Sequence, residues 1–497
     1  MDRPGQVMRT CALALALAPS CKEAPPPLGE ALVVVDTDAP VPALVGRLRV
    51  DFYTTAGEWF ESRDLAAPDP SAWPLSFSVF TPDEVGPRDV IVRLRAYPEG
   101  KTRDYRGERF APRGATEATP VDKRLVASGV DITPRSEPQP LLTIDRILRI
   151  SLQPGRVGSA RAVLRGACFG TMADLATGAS CVDTENARVT PAASALDPDM
   201  SLPSVSLQGS FGAAEPCAGA PRAHEVCVPG GAFVFGNASE YGAGDGDGVP
   251  ERIARVSAFY MDRHEYTVGR WRPLFDADPT GEPGQLVGND GPIASTSKNE
   301  LDRALCSASL SPRGREELAL TCLTWPVARA LCRLVGADLP TEVQWEYAAQ
   351  VAGRAAKTVY PWGRDAVTCE RAVHGRLTGG TLGRSLCTER GAGPAPVDTA
   401  GAPGGDVTSL GVVGLGGGVS ELVRDAFFGY QSACWRSAGL LDPTCTPDAG
   451  PVRQVRGGNW ASNAPSVASP RRQAVGIEEY APTVGFRCVR PSDPGGP

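Results

Sequence analysis

Histidine and methionine are scarce in this sequence of 497 residues, with three and five copies. Three histidines and the lack of any Cys-x-x-Cys pair leave little from which to build a zinc centre. Basic charge is not in excess: 50 Lys and Arg stand against 57 Asp and Glu, for a net charge of −7. That balance favours solubility and offers no general basic surface to nucleic acid, so no nucleic-acid partner is expected. Beyond the first twenty or so positions no apolar run is long enough to cross a bilayer as a helix. Tyrosine and phenylalanine are also few, whereas glycine (56) and proline (46) are abundant. Such a mixture suits turns and irregular loops better than long helices, and the length accommodates two or three domains.

The N-terminus has the pattern of an export signal. Arg3 and Arg9 precede the apolar run Cys11–Ala18, and Pro19-Ser20-Cys21 is followed by a charged, Pro-rich stretch. Leu17-Ala18-Pro19-Ser20-Cys21 resembles a bacterial lipobox, which implies lipidation of Cys21, membrane attachment through it, and a place in the periplasm or at the cell surface. The alternative is ordinary secretion with Cys21 inert. The expected organisation is a signal over 1–21 and a tether over 22–30. A β domain then spans 31–170, a linker or continuation of it 171–222, a second domain 223–492, and a tail 493–497.

Twelve cysteines remain once Cys11 and Cys21 are set aside, an even number that reads as a disulfide set in an oxidising compartment. Several lie ten to eighteen residues from a neighbour, which suggests local staples at 168–181, 217–227, 306–322, 369–387 and 434–445. Cys332 and Cys488 are then left as a long-range pair, although spacing alone does not fix connectivity.

From 31 to about 170 the signal is β. Leu48, Val50 and Phe52 alternate with Arg47, Arg49 and Asp51, and Val92, Leu94 and Ala96 with Arg93 and Arg95. The fold class expected is α+β, with an N-terminal antiparallel β-sandwich followed by a loop-rich domain. Nothing in the first part suggests catalysis, which favours a spacer or binding module.

The chain changes character at Cys227. Val228-Pro229-Gly230-Gly231-Ala232-Phe233-Val234-Phe235-Gly236 is followed by Val256-Ser257-Ala258-Phe259-Tyr260-Met261-Asp262-Arg263-His264-Glu265-Tyr266-Thr267. Later come Leu339-Pro340-Thr341-Glu342-Val343-Gln344-Trp345-Glu346-Tyr347-Ala348-Ala349 and Tyr360-Pro361-Trp362-Gly363. Val455-Arg456-Gly457-Gly458-Asn459-Trp460 and Val484-Gly485-Phe486-Arg487-Cys488-Val489 complete the series. These ordered blocks resemble the formylglycine-generating enzyme (sulfatase-modifying factor) family, whose core is C-type-lectin-like. Thr341 is expected to cap a helix carrying Trp345, Ala348 and Ala349 on one face, and Trp271 and Phe275 to pack at i and i+4. The resemblance also implies the Cys332–Cys488 bridge.

In that family a substrate cysteine is oxidised with O₂ by copper(I) held between two thiolates, two and seven residues after the motif tryptophan. Ser462 and Val467 stand at those positions, and neither ligates copper(I). No catalytic residue and no copper are therefore expected. The family's calcium-binding segment aligns with Gly411–Leu422, where Gly414 and Gly418 replace an acid and an amide, leaving Glu421 as the remnant of a calcium site that wants six to eight oxygens.

Glu342 and Glu346 are expected to be packing groups and not an acid/base pair. His264 has the look of a structural group, and His374 lies between two cysteines without an evident partner. Asp245 and Asp247 fit a turn better than a cation site. Two classes of function follow. One is a non-catalytic recognition domain for an envelope protein, peptide or glycan, with a ligand surface around Trp460, Ser462, Asn463, Arg471 and Arg472. The other is an oxidoreductase using the old pocket, which the missing thiolates disfavour.

Overall fold

The structure is a computed structural model that describes residues 29–81, 87–104, 125–193, 195–202, 207–237, 248–277, 305–308, 314–377, 387–446 and 450–492. The proposed signal, Cys21 and most of the tether lie outside the described residues, as do Asp245 and Asp247.

The fold is mixed α+β, rich in sheet, with few and short helices. In the N-terminal part, strands Ile144–Leu152, Arg88–Tyr97, Arg47–Thr54 and Trp59–Ala66 form one antiparallel sheet in that order. A second sheet has Glu30–Thr37 at its centre, between Val157–Leu164 and Leu75–Phe80. Apolar side chains of both sheets meet in one core, among them Val33, Val35, Leu48, Val50, Phe52, Val92, Leu94, Ile144 and Leu164. Burial of this alternating set is what fixes the register, since a slip of one residue would expose every member.

Two features differ from the antiparallel, one-face-buried expectation. Glu30–Thr37 pairs with Val157–Leu164 in parallel, because the first and last strands of the unit run in the same direction and the whole intervening chain serves as the crossover that parallel pairing needs. The polar positions are also not all solvated. Arg49, Asp51, Arg95 and Asp145 are buried, because the short strands Thr102–Asp104 and Ser136–Pro138 lie over them, with Arg49 Nη1 donating to Ser136 O at 3.0 Å. The buried charges neutralise one another: Asp51 meets Arg49 at 2.9 Å and Arg93 at 2.8 Å, and Arg95 meets Asp145 at 3.1 Å.

The described part of residues 171–222 carries two disulfide partners, Cys181 and Cys217, with isolated bridges and turns in place of regular strands. Phe211 packs on the N-terminal core, and Glu215 exchanges backbone hydrogen bonds with Gly230. In the C-terminal part, a three-stranded sheet joins Glu225–Val228, Phe259–Asp262 and Val489–Pro491. Gly231–Phe235 pairs with Arg252–Val256. A four-stranded sheet runs in the order Arg472–Gly476, Val452–Arg456, Ser420–Ala426, Val484–Gly485. The α-helices among the described residues are Val268–Ala277, Trp325–Leu334, Glu342–Gln350 and Ala433–Ser437. Ile253 enters the N-terminal core, and Lys101 pairs with Glu251 at 2.9 Å across the two parts.

Trp271 is fully buried, with its ring centroid 5.1 Å from that of Phe275. The six expected disulfides are all formed: 168–181, 217–227, 306–322, 332–488, 369–387 and 434–445. Among the described residues no helix is long and apolar enough to cross a membrane.

Candidate functional site

Strand Val452–Arg456 delivers the chain to Gly457, whose φ of +77° and whose position 2.8 Å from Leu415 O, measured from where a Cβ would sit, admit only glycine. The turn that follows is closed by its own polar groups. Ser462 N donates to Asn459 O at 2.9 Å, Asn459 N donates to Ser462 Oγ at 3.0 Å, and Asn459 Nδ2 donates to Ser420 Oγ at 2.9 Å. Asn463 then caps the short turn Ala464–Val467 by accepting from Ser466 N at 3.2 Å.

Ser462 is thus half-buried with its hydroxyl engaged in the turn, and Val467 is fully buried. A hydroxyl and a sealed aliphatic group do not fit copper(I). The cysteines nearest in sequence, Cys445 and Cys488, are both tied into disulfides. Among the described residues the Ser462 hydroxyl meets Asn459 N and no histidine, so it lacks the base that a nucleophilic serine needs.

Behind this turn lies a buried ionic lattice. Thr341 Oγ1 accepts from Gln344 N at 3.1 Å while Gln344 Oε1 accepts from Thr341 N at 2.9 Å, a reciprocal cap that starts the helix. Far from burying one face, the helix is buried nearly all round, with Glu342 and Glu346 a turn apart inside the protein. Arg456 joins them, Nη1 to Glu342 at 2.7 Å and Nη2 to Glu346 at 2.7 Å. Arg472 Nε reaches Glu342 at 2.6 Å, Lys357 Nζ reaches Glu346 at 2.7 Å, and the Tyr430 hydroxyl donates to Glu342 at 3.0 Å. Burial alone would raise the Glu346 carboxyl, but Lys357 and Arg456 overcome it and hold the group at about 2. A carboxylate so fully paired is a structural anion and not a proton shuttle.

Glu421 is engaged in the same way. Its oxygens take Arg487 Nη2 at 2.5 Å, Arg487 Nε at 2.8 and 2.9 Å, and Trp345 Nε1 at 2.9 Å. Arg487 also donates to Asp262 O and Val413 O. A calcium ion does not fit here: the remnant carboxylate already has a guanidinium against it, and Gly414 and Gly418 bring no side-chain oxygen. A cavity of about 20 Å³ adjoins this point, flanked by Glu265, Asp406, Gly414, Gly417 and Gly418. A Cβ at Gly418 would lie 2.6 Å from Glu265 Oε1, so an amide side chain there would collide with that carboxyl as it is placed here. Asp406 accepts from Gly416 N at 2.8 Å and Gly417 N at 2.7 Å. Burial pushes Glu265 up to about 8 and Asp406 up to about 7, so both carry protons into the neutral range. Among the described residues no cluster of three His, Cys, Asp or Glu is arranged to hold a metal.

Two expected surface residues are interior. Trp460 is 2% exposed, its indole donating to Pro482 O at 3.1 Å, and Arg472 is drawn inward by Glu342. Ser462, Asn463 and Arg471 remain half-buried at the surface. His264 is half-buried, with burial lowering its basicity, and His374 is buried against the Cys369–Cys387 bridge. The counter-ions Arg456 and Arg487, and the pair Glu265 and Asp406, were not identifiable from the motifs as charges that act together. A basic residue inside an otherwise apolar or glycine-rich block was the available signal.

Fold and site together define a loop-rich, disulfide-braced α+β arrangement with an ion-paired centre, packed against the N-terminal sheets. The chain belongs to the sulfatase-modifying factor enzyme 1-like domain family, whose model matches residues 210–492. It is 24% identical over 294 residues to the formylglycine-generating enzyme of Bos taurus, covering 54% of this chain and 75% of that protein. It is 29% identical over 167 residues to the inactive C-alpha-formylglycine-generating enzyme 2 of the same organism, covering 28% of this chain and 52% of that one. Among solved structures, PvdO from Pseudomonas aeruginosa superposes with a TM-score of 0.40 at 16% identity, over 54% of this chain and 94% of that one.

Proposed function

We propose that this chain is an exported lipoprotein, anchored through Cys21, whose formylglycine-generating-enzyme-like domain does not oxidise cysteine to formylglycine and instead recognises a protein, peptide or glycan at the cell envelope. The observation that carries this is the pair Ser462 and Val467: one hydroxyl closed into a turn and one aliphatic side chain wholly buried, where two thiolates are required. A relative named as inactive supports the same direction. The N-terminal sheets fit a β-sandwich that spaces the domain from the membrane or adds a binding surface. Ser462, Asn463 and Arg471 mark the ligand surface on a C-type-lectin-like frame whose loops can vary while the frame holds.

The test uses the chain from residue 31 onward, oxidatively folded, with copper(I) and a peptide bearing the Cys-x-Pro-x-Arg motif. Mass spectrometry is expected to find the peptide thiol unconverted to the aldehyde, and no copper retained after desalting. Conversion with stoichiometric copper would overturn the proposal.

A further inference from the structure

Of the six disulfides, Cys369–Cys387 has an imidazole at its sulfur. His374 Nε2 lies 3.7 Å from Cys387 Sγ. The other ring nitrogen, Nδ1, lies 3.0 Å from Ala372 O. A carbonyl only accepts, so Nδ1 carries the hydrogen, and in the neutral ring the lone pair of Nε2 faces the sulfur. His374 is 4% exposed and Cys387 2%, while Cys369 is half-buried and reaches the surface. The histidine is held in place by the backbone on either side: before it Gly418 N donates to Val373 O at 3.0 Å, and after it Gly375 N donates to Ser462 O at 2.8 Å. At two of the other bridges the sulfur meets backbone carbonyls: Cys181 meets Asp183 O, and Cys217 meets Val228 O and Phe259 O. Carbonyls neither take up nor donate a proton.

This arrangement gives the bridge a direction. In thiol–disulfide exchange a thiolate attacks one sulfur and expels the other, and the rate depends on which sulfur is accessible and how well the other leaves. Cys369 is the more exposed of the two cysteines, and so the one that an incoming thiolate would attack. Cys387 is then the leaving group, and it departs beside a nitrogen able to hold a proton.

We propose that Cys369–Cys387, with His374, is a thiol–disulfide exchange centre that oxidises an exposed thiol, a property independent of the recognition role above. A substrate thiol gives its proton through solvent to His374 Nε2, and the resulting thiolate attacks Cys369 Sγ. The substrate–Cys369 bond forms as the Cys369–Cys387 bond breaks, and the electron pair leaves on Cys387 as a thiolate paired with the imidazolium. A second substrate thiolate attacks the mixed disulfide, releasing the substrate disulfide and leaving Cys369 to take the second proton. The centre now holds two more electrons and two more protons than before. A small-molecule disulfide reverses the sequence and restores the bridge.

The experiment equilibrates the oxidised full chain in buffers of graded reduced-to-oxidised glutathione ratio, traps the thiols by alkylation, and maps them by mass spectrometry. Cys369–Cys387 is expected to open at a ratio about 10-fold more oxidising than any other bridge, with glutathione trapped on Cys369. In the reduced protein, alkylation of Cys387 should keep its full rate to a pH about one unit or more below the free-cysteine value of about 8.5. His374→Asn keeps a donor for Ala372 O but lacks Nε2, and should return that midpoint to the free-cysteine range. Opening no earlier than the other bridges, glutathione on Cys387, or a Cys387 profile unmoved by the substitution would each overturn the proposal. If His374→Asn fails to fold, the unsubstituted protein decides, because Cys387 and Cys369 titrating together at the free-cysteine value overturns it equally.

Discussion

Arg487 stands against both oxygens of Glu421, 66 residues earlier in the chain, at 2.5 to 2.9 Å in an environment from which water is excluded. The positive charge that the family resemblance assigns to a calcium ion at this carboxylate is here matched by the chain's own guanidinium.

Calcium should therefore be irrelevant to stability at this point. A site filled at a hundred times its dissociation constant would add about 2.7 kcal/mol. The thermal midpoint is expected to be the same in EDTA as in millimolar calcium, as read by calorimetry. Arg487→Met, which strands Glu421 without its partner, should cost about 3–5 kcal/mol.

Glu346 sets the acid limit of the domain. Its folded pKa of about 2 lies below that of an unfolded glutamate, so the stabilisation is complete above the unfolded value and disappears as pH falls from about 4.5 toward 2. Glu346→Gln should lose about 3–5 kcal/mol at pH 7 and show a shallower decline across that acid window in denaturant titrations.

Glu265 acts in the opposite sense. Burial holds it protonated to about 8, so the folded state keeps a proton that the unfolded chain releases near 4.5, and stability falls as pH rises through that interval. Glu265→Gln mimics the protonated form. It should match the parent at pH 5 and exceed it at pH 8.5 by about 2–4 °C in thermal midpoint for each kcal/mol recovered. Equal pH slopes for the two proteins would contradict this.

The Cys332–Cys488 bridge spans 156 residues with a Cα–Cα distance of 5.5 Å. In the chain-entropy picture it contributes about 5 kcal/mol. Replacing both cysteines by alanine should lower the urea midpoint more than removing Cys217 and Cys227, which close only 10 residues.

Lipid attachment at Cys21 is tested in cells. The full chain should sediment with membranes and incorporate labelled fatty acid, and Cys21→Ser should release it to the soluble fraction. An unchanged distribution would reduce the leader to a plain secretory signal.

Much of the architecture was legible because it rests on local periodicity. Leu48, Val50 and Phe52 announce a strand by alternation alone, and Thr341 with Gln344 announces a helix start. Trp59–Ala66 does not, because as an edge strand it is half-buried at best, with no fully buried position and only Leu65 packed on the core. The parallel closure of Glu30–Thr37 on Val157–Leu164 escapes a strand-by-strand view, since nothing in either segment encodes direction. The site was harder for a related reason. Trp460 and Arg472 resemble recognition residues in sequence, yet Pro482 and Glu342 draw them inside, and the Glu342 contact spans 130 residues. Ion pairs of that reach leave no short-range pattern, whereas the close spacing of ten cysteines did.

The strand nearest the N-terminus has a mechanical consequence. Glu30–Thr37 is the middle strand of its sheet, bonded along its length to Val157–Leu164 on one side and to Leu75–Phe80 on the other. Tension drawn through residue 29 away from the domain runs along the strand axis, so both ladders are loaded in shear. Their hydrogen bonds must yield together and cannot be peeled one at a time. A chain tugged from that end would pass the load to the whole β unit before any strand came free.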